Sequence, residues 1–88
     1  MKLILCLKCC DIRRFGNQEW ATCQCGKSAG KYLDDGWHSE VKGPCLAIGM
    51  RNDDLIPILK HPERAKREGP NLKAFVINEY AHTVKWVE

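Results

Sequence analysis

CLKCCDIRRFGNQEWATCQCGKSAGKY, residues 6–32, holds five of the chain's six cysteines. Cys6-Leu7-Lys8-Cys9 is a C-x-x-C pair, and Cys23-Gln24-Cys25-Gly26 is a C-x-C-G pair separated from it by thirteen residues. These five thiols must form a disulfide framework, a redox centre or a metal cage, and the choice decides how so short a chain stays folded.

The spacing favours the cage. A tight turn brings two thiolates to one face, with glycine where the chain bends sharply. Two such knuckles on adjacent hairpins place four sulfurs at about 2.3 Å around a tetrahedral Zn²⁺. One structural Zn²⁺ is therefore expected on Cys6, Cys9, Cys23 and Cys25, with Cys9 preferred to its neighbour Cys10. Between the knuckles, residues 12–15 read as one strand, Gly16-Asn17 as the turn, and residues 20–23 as the return. A disulfide scaffold suits a secreted chain, but no signal peptide is evident and C-x-C is an awkward bridge. A thioredoxin-like centre wants its C-x-x-C at a strand-to-helix junction, whereas a strand signal follows Cys9. Cys10 and Cys45 are left as unpaired, buried thiols.

Eighty-eight residues make a single domain whose core alone leaves a thin margin. The greasy start, residues 3–7, is cut short by Lys8 and reads as a β-strand of a cytoplasmic protein rather than a leader. No apolar run approaches the roughly 20 residues of a membrane span. Beyond the knuckles, residues 28–33, Asp34-Asp35-Gly36 and residues 37–42 read as strand, turn and strand. Gly43-Pro44 breaks the run, and residues 45–48 resume as a short apolar strand. Asp53 or Asp54 is the expected cap of a helix over residues 55–59, since Pro57 is tolerated only in a first turn. Pro62 ends that helix, and residues 63–68 can form a charged turn. Residues 72–77 and 83–87 are two further strands. The expected class is small α+β: a zinc ribbon in residues 1–33, continuous with a small antiparallel sheet and one short helix in residues 34–88.

Charge is uneven. Residues 1–33 carry six basic and two acidic side chains, a balance of +4, whereas residues 34–88 carry eight basic and nine acidic ones. The cysteine-rich third thus favours a polyanionic partner, with Arg13, Arg14, Lys27 and Lys31 as its cations. Phe15, Trp20, Tyr32 and Trp37 lie among those cations, as rings do where they stack bases beside phosphate-holding groups. Gly26-Lys27-Ser28 mimics the end of a P-loop, but the required upstream glycine is Ala21 and no long helix follows. Lys27, Ser28, Lys31 and Tyr32 remain candidates to hold a phosphate. His38 beside Asp34, Asp35 and Glu40 reads as a solvated turn, and no nucleophile has a base at a recognisable spacing. An enzyme is not expected.

At C-L-K-C…C-x-C-G-K-S-A-G-K-Y-L-D and G-P-C-L-A-I-G-M-R-N the chain resembles small zinc-ribbon proteins of bacteriophages and their bacterial hosts. The resemblance covers the first two-thirds and, more weakly, the AFVI strand. It implies a zinc-stabilised, non-enzymatic fold in the cytoplasm of a bacterial cell, with any shared site on Ser28, Gly30, Tyr32, Gly43, Pro44, Gly49 and Asn52. Inhibition of a host system, or sequestration of a nucleotide signal of bacterial immunity, is the function it implies. The expected partner is accordingly nucleic acid or a nucleotide. A nucleotide pocket would be shared between subunits, because one small domain offers little concavity. The alternative is a protein–protein inhibitor acting through exposed aromatics such as Trp37 or Trp86.

Overall fold

The computed structural model describes residues 1–87 as a small α+β fold of nine short strands and two helices. Four strands form an antiparallel sheet in the order β2 (Ile12–Arg14), β1 (Lys2–Cys6), β7 (Cys45–Met50) and β8 (Ala74–Val76). The second sheet is mixed. It runs β3 (Gly16–Asn17), β5 (Ala29–Tyr32), β6 (Ser39–Lys42) and β9 (Val84–Trp86), with β4 (Ala21–Thr22) also on β5. The β3–β5 and β6–β9 pairings are parallel, and the others are antiparallel. Both sheets draw strands from either side of residue 33.

Strict alternation explains the core. In β7, Cys45, Ala47 and Gly49 point inward and their neighbours do not. Ile4 and Cys6 from β1 and Val41 from β6 are fully buried, and Phe15, Cys23 and Val84 join them in one cluster. Gly30 makes this packing available. A Cβ there would lie 2.7 Å from the Phe15 ring and 3.0 Å from Ile4, so only glycine lets the ring pack this close to β5.

Two expected features are corrected. Residues 12–15 and 20–23 do not form a hairpin about Gly16-Asn17. Residues 12–14 pair with β1, burying Phe15, and Gly16–Asn17 is itself a strand on β5. The chain reverses later, where Gln18 has a left-handed φ of 64° and donates its N–H to the Tyr32 carbonyl at 3.0 Å. The helical region is also longer than expected. It comprises α1 (Asn52–Lys60) and α2 (Pro62–Glu68), so there are two helices. The cap of α1 is Arg51, without a side-chain bond, and Pro57 sits inside the helix. Pro57 has no N–H to give to Asp53, and this loss is tolerated because α1 is solvated and water can serve the freed carbonyl. The turn between β5 and β6 falls where D-G predicts it. Asp35 accepts the Trp37 and His38 N–H groups, each at 2.9 Å. Among the described residues, no helix is long and apolar enough to cross a membrane.

Candidate metal centre

The first knuckle leaves β1 at Cys6. The Cys10 N–H closes it by donating to the Cys6 carbonyl at 2.9 Å, and the Lys8 N–H reaches the Cys6 Sγ at 3.4 Å. The second knuckle repeats this device. The Gly26 N–H bonds the Cys23 carbonyl at 3.0 Å, and the Ser28 N–H reaches the Cys23 Sγ at 3.4 Å. Each knuckle ends on a left-handed residue: Gly26 at φ 80° in the second, Cys10 at φ 60° in the first. Cys10 therefore occupies the position that a knuckle usually gives to glycine. It is exposed rather than buried as expected, and its thiol stands outside the cluster.

The Sγ atoms of Cys6, Cys9, Cys23 and Cys25 all lie within 4.8 Å of one another. Cys6 and Cys25 are 3.7 Å apart, and Cys23 and Cys25 are 3.5 Å apart. Tetrahedral bonds of about 2.3 Å give sulfur–sulfur edges of about 3.8 Å. The four thiols fit a metal ion, and among the described residues no histidine takes part. His82 lies exposed elsewhere.

The surroundings favour thiolate. The Ser28 hydroxyl donates to the Cys6 Sγ at 3.4 Å. That bond, followed by the Cys9 and Lys8 amides, holds the Cys6 thiol down to about 6. At Cys23, burial raises the thiol, but the Ser28 amide and the Cys25 contact outweigh it and the net direction is down. Cys25 goes the other way. The Lys27 amide pulls it down, while burial and its bonds to Cys23, Cys9 and Cys6 prevail and push it to about 11. In a cluster this tight the first thiolates hinder the last, as like charges at one site do. A cation removes that conflict. The sixth cysteine, Cys45, is buried beside the cage, as expected of an unpaired thiol, and donates to the Lys42 carbonyl at 3.6 Å.

The sequence-predicted ligand residues are dispersed. Ser28 is 1% exposed and belongs to the cage. Arg13 is tied to Asp11 at 2.7 Å, and Lys31 to Glu40 at 3.5 Å. The Lys31 and Lys42 ammonium groups sit 4.7 and 4.3 Å from the Trp20 ring centroid, so that ring already has its cations. Lys27 is exposed in the second knuckle. Three residues do converge: Arg14, Tyr32 and Asn52 line one groove of about 590 Å³ beside α1. Asn17, expected in the turn, joins them there. The missed signal is its register opposite Tyr32, which only the parallel β3–β5 pairing reveals. Compared with protein-family models, curated proteins and solved structures, the chain matches none of them.

Proposed function

We propose that the chain is a small non-enzymatic binding protein, built around one structural Zn²⁺ on Cys6, Cys9, Cys23 and Cys25, that takes a phosphate-bearing ligand. Four soft thiolates in tetrahedral spacing suit Zn²⁺, and a site closed by four protein ligands leaves no position for a catalytic water. The observation that carries the ligand reading is the groove beside α1. Arg14 supplies a guanidinium able to grip a phosphate bidentately. Asn17, Asn52 and the Tyr32 hydroxyl add neutral polar groups, while Leu55 and Ile56 form an apolar wall. Tyr32 is held in place, because its hydroxyl accepts the Lys2 N–H at 2.7 Å. A nucleotide has both faces this groove offers: an anionic phosphate and a flat, weakly polar base. Sequestration of a nucleotide signal, as in the phage-type proteins the sequence resembles, fits that chemistry.

Titrating a labelled mononucleotide and a labelled single-stranded oligonucleotide at two salt concentrations tests the reading. Arg14→Ala should weaken nucleotide binding about ten- to a hundredfold, the worth of a charged hydrogen bond. Arg13→Ala, already paired with Asp11, should change it little. A steep salt slope with the oligonucleotide would move the assignment to nucleic acid. Binding of neither probe, or no effect of Arg14→Ala, would end it. One observation supports a second reading, a protein–protein inhibitor. Trp37 is 65% and Phe75 53% exposed, and both line a cleft of about 440 Å³. If neither probe binds, Trp37→Ala becomes the informative variant.

A further inference from the structure

The register of β1 against β7 sets Cys45 directly opposite Cys6. In an antiparallel pair, opposed residues project to the same face. Both side chains are indeed buried in the same cluster, at 0% and 6% exposure. The spacing between them follows from the hydrogen bonds. Leu7 donates to the Pro44 carbonyl, and Met50 to the Met1 carbonyl, so odd-numbered residues of this strand turn their N–H and C=O toward β7. Cys6 turns the other way, its N–H going to the Asp11 carbonyl at 3.0 Å. Cys6 and Cys45 are therefore a non-hydrogen-bonded pair, the closer of the two kinds, with Cα atoms about 4.5 Å apart. That separation lies within the range a disulfide spans.

We infer that Cys6 and Cys45 form a cross-strand disulfide under oxidation, and that this bond competes with the metal for the Cys6 sulfur. The chemistry balances with hydrogen peroxide as oxidant. The Cys45 sulfur attacks the peroxide: an S–O bond forms, the O–O bond breaks, and water leaves once its proton is supplied. The Cys6 thiolate then attacks the Cys45 sulfenic acid. The S–S bond forms, the S–O bond breaks, and a second water leaves. Two thiols lose two electrons and one peroxide gains them. A metal that had Cys6 as a ligand keeps only Cys9, Cys23 and Cys25. No strand needs to move far, because β1 and β7 already hold the pair in register.

Tryptic mapping resolves this, since Cys6 falls alone in residues 3–8 and Cys45 alone in residues 43–51. The purified full chain, Zn²⁺-loaded or chelator-treated, is given hydrogen peroxide, alkylated and digested. The expected product is the linked pair of those two peptides, lost again on reduction, with one Zn²⁺ released per link in the loaded sample. Cys45→Ser and Cys45→Ala should both lose the link and release metal more slowly under peroxide. Links confined to Cys9, Cys10, Cys23 and Cys25, or unchanged metal release in both variants, would overturn the inference. If neither variant folds, the peptide map of the parent chain decides alone. The inference rests partly on the cage reading, but the two fail separately. Linking in the chelator-treated chain tests the strand pair, and metal content before oxidation tests the cage.

Discussion

Ile4, Cys6 and Val41 are fully buried, whereas α1 and α2 bury no side chain and Leu59 is 77% exposed. The cage and the hydrophobic core overlap: Cys6 and Cys23 belong to the buried cluster and Cys9 packs against it, while Cys25 is exposed. In the helices only Asp54, Leu55, Ile58 and Ala65 are even half-buried. The difference teaches where stability resides. The strands around the knuckles should unfold together with the loss of the metal, while the helical pair can open by itself at little cost, as weakly packed segments do.

Removing the metal should therefore have the largest effect. Structural Zn²⁺ contributes about 10–16 kcal/mol in finger peptides, as much as or more than the ~5–15 kcal/mol stability of a whole domain. Chelation should abolish the cooperative thermal transition followed by tryptophan fluorescence, and restored Zn²⁺ should return it. Cys23→Ser should behave like the chelated chain. A chain that keeps its transition in chelator would show that the core suffices, and the contrast with the helices would shrink to one of packing alone.

Packing is the next comparison. Val41→Ala opens a cavity where nothing can collapse easily and should cost about 2 kcal/mol in denaturant unfolding. Leu59→Ala removes a larger side chain from a solvated face and should cost under about 0.5 kcal/mol. Equal costs would mean that α1 is covered in solution by something outside the chain.

The same contrast governs how much the sequence could reveal. The knuckle spacing is local chemistry, and the four cysteines it singles out are the four that converge. Alternation and D-G likewise locate β5, β6 and their turn, because period and turn residue act within a few positions. Pairing partners are different. Nothing local in residues 12–14 says that they join β1 rather than residues 20–23; burial of Phe15 over Gly30 decides it. Charge counting is blind to local pairing for a related reason. Four thiolates around Zn²⁺ carry a net −2, so the +4 of residues 1–33 falls to about +2 once the cage is loaded. Asp11 and Glu40 then neutralise Arg13 and Lys31 locally. Arg14, by contrast, lines the groove beside α1, and its neighbours there come from strand pairings the sequence does not spell out.

Within the cage half, Cys10 offers a smaller test. A left-handed residue other than glycine costs about 1–2 kcal/mol, partly offset in a Cys10→Gly variant by the greater freedom of unfolded glycine. Cys10→Gly should keep one metal per chain and gain up to about 1 kcal/mol. Loss of the metal would show that Cys10, not Cys9, is the ligand.

The smallest expected effect lies in the β5–β6 turn. The His38 ring contact, followed by the Trp37 and His38 amides, holds the Asp35 carboxyl down to about 2. A depressed folded value means that this contribution is fully present above the usual carboxylate range, near 4, and is lost as pH falls toward 2. The groups are solvent-exposed, so the effect is screened and belongs with surface pairs. Asp35→Asn keeps a side-chain oxygen for the two amides but removes the charge. Its stability should fall slightly below the parent at pH 6 and converge with it near pH 2, the metal being followed in parallel because acid also protonates the thiolates. A gap that persists unchanged at low pH would assign the role of Asp35 to turn geometry instead of charge. The turn would then join the second knuckle, closed at Gly26, as a feature set by local backbone geometry.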